Sequence, residues 1–143
     1  MSVAAHDSTE LTRSACLSLL PTVPFGRLVF TEGALPAVVP VAFALDPAGI
    51  VLWSSAGSAV ARSVDGSIVA LQADDVDPAR GTGWSVTVVG QARLARDRVE
   101  LDRLTALPLV PWEAGQRDVV VVVEVGIVSG RRIGGPAVVP APR

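Results

Sequence analysis

A hairpin with two prolines in its second strand constrains the fold of this chain more than any other feature. Residues 26–30 form a β-type run, a turn follows at 32–34, and the run from Leu35 to Leu45 contains Pro36 and Pro40. Two such runs around a glycine-containing turn predict a β-hairpin. Proline cannot donate a hydrogen bond to a sheet, so the second strand is predicted to lie at an edge, a bulge or a strand start. A barrel seam whose free backbone meets a ligand is one arrangement that satisfies both the hairpin and the two prolines.

Length and composition predict one domain. The chain has 143 residues, 50% of them hydrophobic, and domains commonly have about 100–150 residues. We assign residues 1–133 to a single domain and residues 134–143, with Gly134, Gly135 and three prolines, to an irregular tail. A formal net charge of −2 with interspersed arginines provides no basic stripe for nucleic acid.

The sequence predicts a cytoplasmic protein without a membrane span. Its longest apolar run free of charge, Ala34 to Leu45, is far shorter than the roughly 20 residues that a spanning helix needs. The first ten residues are polar or small and do not resemble a signal peptide. Cys16 is the only cysteine, so no disulfide can form within the chain, and we expect it to be a buried hydrophobic residue.

Most common catalytic sets are missing. The chain has no lysine, tyrosine or asparagine, and its one histidine is His6. A Schiff-base lysine is therefore excluded, and zinc would lack its usual ligands. The acidic cluster Asp74, Asp75 and Asp77 lacks the glycine of a calcium loop and is predicted to be a solvated loop rather than a metal site. Any catalysis is expected to depend on a cofactor.

Hydrophobic periodicity and turn residues predict an α+β fold. The predicted helices span residues 8–20 (capped by Asp7), 57–64 and 97–107; the predicted strands span 25–31, 36–45, 50–54, 67–72, 83–94 with a bulge at Gly90, and 118–125. Six strands with a few short flanking helices indicate an antiparallel β-barrel. Incomplete closure would leave a slot between strands.

Serines precede the second predicted helix. Ser54, Ser55, Gly57 and Ser58 form a helix start that can hold an anion. The alternative is an ordinary serine-capped helix, since serine is a common N-cap residue. Trp84 and Trp112 also have two interpretations, because a tryptophan can stack on a ligand or pack in a core or an interface.

In order, the motifs resemble one known family. They are Gly26-Arg27-Leu28-Val29-Phe30, Leu35 to Phe43 with both prolines, Trp53-Ser54-Ser55 with Gly57-Ser58, Gly83-Trp84-Ser85-Val86 with Gly90, Pro111-Trp112 with Gly115, and Gly130-Arg131-Arg132-Ile133. This order is similar to that of the pyridoxamine 5'-phosphate oxidase-like FMN-binding split-barrel proteins, particularly their small actinobacterial members.

The resemblance implies a split-barrel homodimer with FMN at the subunit interface and an oxidoreductase that acts on a small molecule. The cofactor-binding residues that it implies are Val39, Pro40, Val41 and Ala42 along the flavin ring, Trp53, Ser54, Ser55 and Ser58 near the ribityl chain and phosphate, and Trp84 and Arg62. Relatives commonly carry a phosphate-binding lysine where this chain has Ala59, and Arg62, Arg27 or an arginine of the partner chain are the candidates to replace it.

The sequence also fits two alternatives. One is a non-catalytic split-barrel dimer that has lost tight FMN binding, and the other is a reductase that uses the deazaflavin cofactor. Arg131 and Arg132 either bridge subunits, reach a phosphate or form a solvated pair.

Overall fold

The computed structural model describes residues 8–109 and 118–134. The strands are β1 (Ser8–Glu10), β2 (Phe25–Glu32), β3 (Leu35–Asp46), β4 (Gly49–Ser54), β5 (Ile68–Asp77), β6 (Thr82–Leu94), β7 (Val119–Val123) and β8 (Ile127–Ile133); the helices are α1 (Arg13–Leu19), a 3-10 turn (Leu20–Thr22), α2 (Ala59–Ser63) and α3 (Arg98–Thr105). Trp112, His6, Asp7 and the tail from residue 135 lie outside the described residues.

The strands form a closed antiparallel ring. Their order is β6, β5, β2, β3, β4 and β7, and β7 pairs back with β6, while β8 and then β1 extend the sheet from β6. The predicted α+β fold with an antiparallel barrel is therefore confirmed. The side chains inside the ring form the main core, which includes Leu28, Phe43, Ile50, Leu71 and Val88.

Strand β6 has two partners along one edge. Its residues Gly83–Val89 pair with β8, whereas Ala92–Leu94 pair with β7. Residues 124–126 connect β7 to β8 and pass over Gly90 and Gln91 of β6. A Cβ atom at Gly90 would overlap the carbonyl oxygen of Glu124. The predicted bulge at Gly90 is wrong, because β6 pairs with β5 in unbroken register through this position. Gly90 instead makes room for the chain that passes from β7 to β8.

Strand β3 belongs to two sheets. Residues from Leu35 to Ala42 pair with β2, and residues from Phe43 to Asp46 pair with β4. The pair Phe43–Leu52 is the last one between β3 and β4. Beyond it the two strands separate, and this separation is the split in the barrel.

The two prolines lie on the edge that this split leaves free. The amide of Phe43 donates to the Pro24 carbonyl over 3.3 Å, so the odd-numbered residues of β3 exchange hydrogen bonds with β2, since bonded and non-bonded pairs alternate in an antiparallel ladder. Pro36 and Pro40 occupy even positions in an unbroken register. The predicted edge is confirmed, and neither proline costs a bond to β2; each removes a donor from the free edge.

Two sequence-based boundaries are wrong. The helix predicted from residue 8 begins instead after Thr12, whose Oγ1 accepts from the amide of Ala15, because Ser8–Glu10 pair with β8 as a strand. The acidic cluster is not a loop, since β5 continues through Asp74 and Asp75 to Asp77 and pairs with β6. Context outweighs the low strand propensity of aspartate here.

Cys16 is buried at 0% exposure, as expected. A Cβ atom at Gly130 would lie 2.7 Å from its Sγ atom, so α1 packs closely on β8. Burial raises the pKa of the Cys16 thiol. This cysteine is a packing residue.

Candidate functional site

The predicted site residues of β3 and β4 lie on the two sides of one opening, which we call the fork. One side is Val39 to Ala42 on β3, and the other is the end of β4 with the turn to α2, residues 53–58. Ala42 and Trp53 are the first positions past the last pair, Phe43–Leu52. The structure therefore brings together two segments that are separated by ten residues of hairpin.

The β3 side of the fork presents backbone groups. Val38 and Pro40 direct their carbonyl oxygens to the free edge, by the alternation described above, and only Val38 and Ala42 can direct an N–H group there, because proline has none. The side chain of Val41 is 7% exposed and belongs to the core. Because Pro36 and Pro40 lack donors, this edge pairs less well with another strand.

On the β4 side, two serine hydroxyls are in contact. Ser54 Oγ and Ser58 Oγ are 2.7 Å apart, and Ser58 Oγ accepts from the amide of Ala61 at 3.1 Å. The amide of Ser58 donates to the Ser55 carbonyl. Two hydroxyls carry two hydrogens and their mutual contact uses one, so the pair can donate one more hydrogen bond. Ser58 is the N-cap of α2, which confirms the predicted cap.

Charged side chains surround the turn that carries these serines. Arg62 donates to the Gly57 carbonyl at 2.7 Å and to Glu32 Oε2 at 2.9 Å. The amide of Ala56 donates to Asp118 Oδ1 at 3.0 Å. Sequence reasoning missed Glu32 and Asp118, because no local pattern links them to a turn that is far away along the chain.

The two tryptophans within the described residues occupy different places. Trp53 is half-buried and packs on the cluster beneath α3. Trp84 is 6% exposed and belongs to the barrel core. In the sheet it pairs with Asp75 of β5 on one side and with Arg132 of β8 on the other. The fork therefore includes Trp53 at its rim, and Trp84 has little surface left for a ligand.

The outer face of the larger sheet carries one continuous apolar row. In register across five strands, it consists of Val38, Val29, Ala70, Val89 and Ile127. Its ends, Val38 and Ile127, are 60% and 71% exposed. A neighbouring row contains Pro40, Arg27 and Gln72, and Arg27 donates to Gln72 Oε1 at 3.0 Å.

Two further observations concern the described part of the chain. No three His, Cys, Asp or Glu side chains in residues 8–109 and 118–134 are placed to hold a metal ion. Across the same residues, every helix is too short or too polar to cross a membrane.

A sequence search of curated proteins gives one relative at high similarity. It is an uncharacterized protein of Mycobacterium tuberculosis, 41% identical over 135 residues, which covers 91% of this chain and 88% of the relative.

Solved structures share the fold. An FAD-binding protein from Mycobacterium smegmatis has a TM-score of 0.76 and 29% identity, with 87% of this chain and 97% of that chain covered. A protein from Corynebacterium glutamicum described as a pyridoxamine 5'-phosphate oxidase homologue has a TM-score of 0.77 and 25% identity, with 92% and 95% covered. The sequence pattern of the pyridoxamine 5'-phosphate oxidase family matches residues 12–132, and the chain with its split barrel belongs to that family.

Proposed function

We propose that this chain is a flavin-binding oxidoreductase that holds FMN in the fork and acts on a small molecule. The observation that carries the proposal is the fork itself, where a free strand edge lies beside a turn that carries two serine hydroxyls in contact. The similarity to a flavin-binding protein of M. smegmatis supports it.

The β3 edge fits the polar rim of a flavin ring. A flavin carries carbonyl oxygens and ring nitrogens along one side, and these can pair with the N–H groups of Val38 and Ala42 and the carbonyl of Pro40. Pro36 and Pro40 also block a competing strand, because they remove donors that strand addition would need.

The β4 side fits a phosphate less completely. The serine pair supplies one donor and Arg62 supplies one positive charge. Ala59 supplies nothing, and Glu32 and Asp118 add two negative charges. The proposal therefore predicts FMN binding of moderate strength.

A second copy of the chain would complete the assembly. The apolar row from Val38 to Ile127 leaves two large hydrophobic side chains exposed on a sheet face, and contiguous exposed apolar surface marks interaction sites. We place the homodimer interface on this face. Arg27 and Pro40 pair with each other in the row next to that of Val29 and Val38. An interface on the apolar row would therefore lie beside the fork.

A bound flavin would supply hydride or electron transfer. The residues of the fork bind and orient it, because valine, proline, alanine and hydrogen-bonded serine are poor acids and bases at neutral pH. Specificity for the small molecule would then depend on the shape of the opening.

Flavin titration of the purified protein tests the proposal. We expect the flavin fluorescence to be quenched by micromolar protein, with FMN, FAD and the deazaflavin cofactor compared in parallel. Ala42→Trp fills the fork and should abolish binding, whereas Val99→Trp, on the exposed face of α3, should not change it. Equal binding by both variants, or no binding by the native chain, would contradict the proposal.

A non-catalytic flavin or ligand carrier is the second candidate, and Ala59 favours it. Ala59→Lys adds a charge-assisted hydrogen bond to phosphate, which is worth about 1.5–3 kcal/mol and raises FMN affinity by roughly tenfold to a hundredfold. If the native chain binds no FMN and only the Ala59→Lys variant does, the native chain is not a dedicated FMN enzyme.

A further inference from the structure

Glu32 and Arg62 connect the β2–β3 hairpin to the turn that precedes α2. Arg62 Nη2 lies 2.9 Å from Glu32 Oε2, while its Nη1 donates to the carbonyl of Gly57 inside the turn. The side chain of Arg62 is 58% exposed and that of Glu32 is 43% exposed, so packing holds neither of them in place. The guanidinium can exchange partners without a change in the backbone.

We propose that Glu32 determines how strongly the fork prefers a phosphorylated ligand, because it competes with that phosphate for Arg62. This inference rests on the proposed flavin site. Glu32 is a specificity-determining residue at the end of β2, and it lies outside the segments that contact the flavin ring.

The charges around the turn give the physical reason. Arg62 contributes one positive charge, and Glu32 and Asp118 contribute two negative charges. An incoming phosphate must displace Glu32 from Arg62 before it can take up that guanidinium group. An uncharged ligand with the same ring does not have this cost.

Riboflavin and FMN share a ring and differ in the phosphate, so their affinity ratio isolates the effect. Glu32→Gln keeps the length of the side chain and removes its charge. We expect it to raise FMN affinity about fivefold, the size of a screened interaction between exposed charges, and to leave riboflavin affinity unchanged. Arg62→Gln should lower FMN affinity by a similar factor.

The double variant separates competition from direct repulsion. If Glu32 acts through Arg62, adding Glu32→Gln to Arg62→Gln should have no further effect on FMN affinity. The same fivefold gain in both backgrounds would overturn the proposal, as would an unchanged FMN-to-riboflavin ratio in Glu32→Gln. If the native chain does not bind riboflavin, that result would instead contradict the flavin site itself.

Asp77→Asn is the matched control. Asp77 also forms an exposed ion pair, with Arg80 at 3.7 Å, and the variant changes the net charge by the same amount. Val29 pairs with Ala70, so Glu32 lies near the Ile68 end of β5. Asp77 is at the opposite end of this strand. At about 3.3 Å per residue the two ends are roughly 30 Å apart. We expect its FMN-to-riboflavin ratio to equal that of the native chain.

Discussion

At the scale of single residues, the direction of each β3 amide decides which substitutions the fork tolerates. Val39 occupies a position that is hydrogen-bonded to β2, and Val38 occupies a position that faces the free edge. Pro36 and Pro40 have the same phase as Val38, which means that their backbone groups point to the free edge and not to β2. The sequence shows two prolines four residues apart, but their common phase becomes informative only when the partner strand is known.

Val39→Pro should destabilise the protein by about 1–3 kcal/mol, because it removes a ladder donor and leaves a carbonyl of β2 without its partner. Val38→Pro is the matched control, with the same substitution in the same strand, and should cost much less. Urea unfolding followed by circular dichroism measures both free energies of unfolding. Equal losses in the two variants would show that the phase of β3 is assigned incorrectly.

At the scale of elements, α3 is held to the barrel by one apolar contact and one ionic network. Leu104 is fully buried in a cluster with Val51 and Val122 of the underlying strands. Asp97 caps the helix by accepting from the amide of Glu100, and the helix predicted over 97–107 spans Arg98–Thr105. The ionic network consists of Arg93, Glu100, Arg103 and Asp46.

Leu104→Ala should lower the free energy of unfolding by about 3 kcal/mol, since it leaves a cavity between α3 and the sheet. Val99→Ala, on the same helix but 76% exposed, should change it by less than about 0.5 kcal/mol. Thermal or urea unfolding of the two variants provides the comparison. A small effect at Leu104 would mean that α3 contributes little to the fold.

The ionic network makes stability depend on pH. Hydrogen bonds from Arg103 and from the amide of Ala48 lower the pKa of Asp46, and the bidentate contact of Arg93 at 2.7 Å lowers the pKa of Glu100. A depressed folded-state pKa stabilises the protein above the unfolded value of about 4, and this stabilisation is lost as the pH falls through the folded values.

We therefore expect the urea midpoint to be constant from pH 7 to about pH 5 and to fall below that. Glu100→Gln should flatten the acid part of this curve. Glu10→Gln serves as the control, because Glu10 is exposed on β1, and its curve should parallel that of the native chain. A native midpoint that does not decrease toward pH 3 would contradict the assignment.

At the scale of the whole molecule, ring closure leaves one broad sheet face uncovered. The other outer face is covered by α3, whereas the row from Val38 to Ile127 has no element of the described chain above it that buries its ends. The second copy that we propose would cover this row and would lie beside the fork of its partner.

Ile127→Asp should convert the proposed dimer to a monomer, because a buried unpaired carboxylate costs several kcal/mol. Val99→Asp adds the same charge to α3, away from the row, and should leave the association unchanged. Sedimentation velocity at micromolar concentration measures both. A monomeric native protein, or a dimeric Ile127→Asp variant, would place the interface elsewhere or remove it.

Local patterns were sufficient for much of the fold. The hairpin, the edge as one of the positions predicted for the prolines, the serine cap of α2 and the helix near residues 97–107 all follow from short-range chemistry and are confirmed. The failures at residues 8–10 and at Gly90 have one physical cause, because there a segment distant in sequence pairs with the backbone or crosses over it. In the acidic cluster the partner is the neighbouring strand, since Asp77 pairs with Thr82 across a short turn, and this pairing outweighs the low strand propensity of aspartate.

The same division applies to the fork. By itself the sequence limited the prolines of β3 to an edge, a bulge or a strand start and placed serines before a helix, because proline lacks a donor and a serine hydroxyl readily caps amides. Only the tertiary structure decided that these segments face one opening and that Glu32 and Asp118 add negative charge there. Their distance along the chain leaves no local pattern, and ladder register and electrostatic contact are properties of strands and side chains brought together by folding.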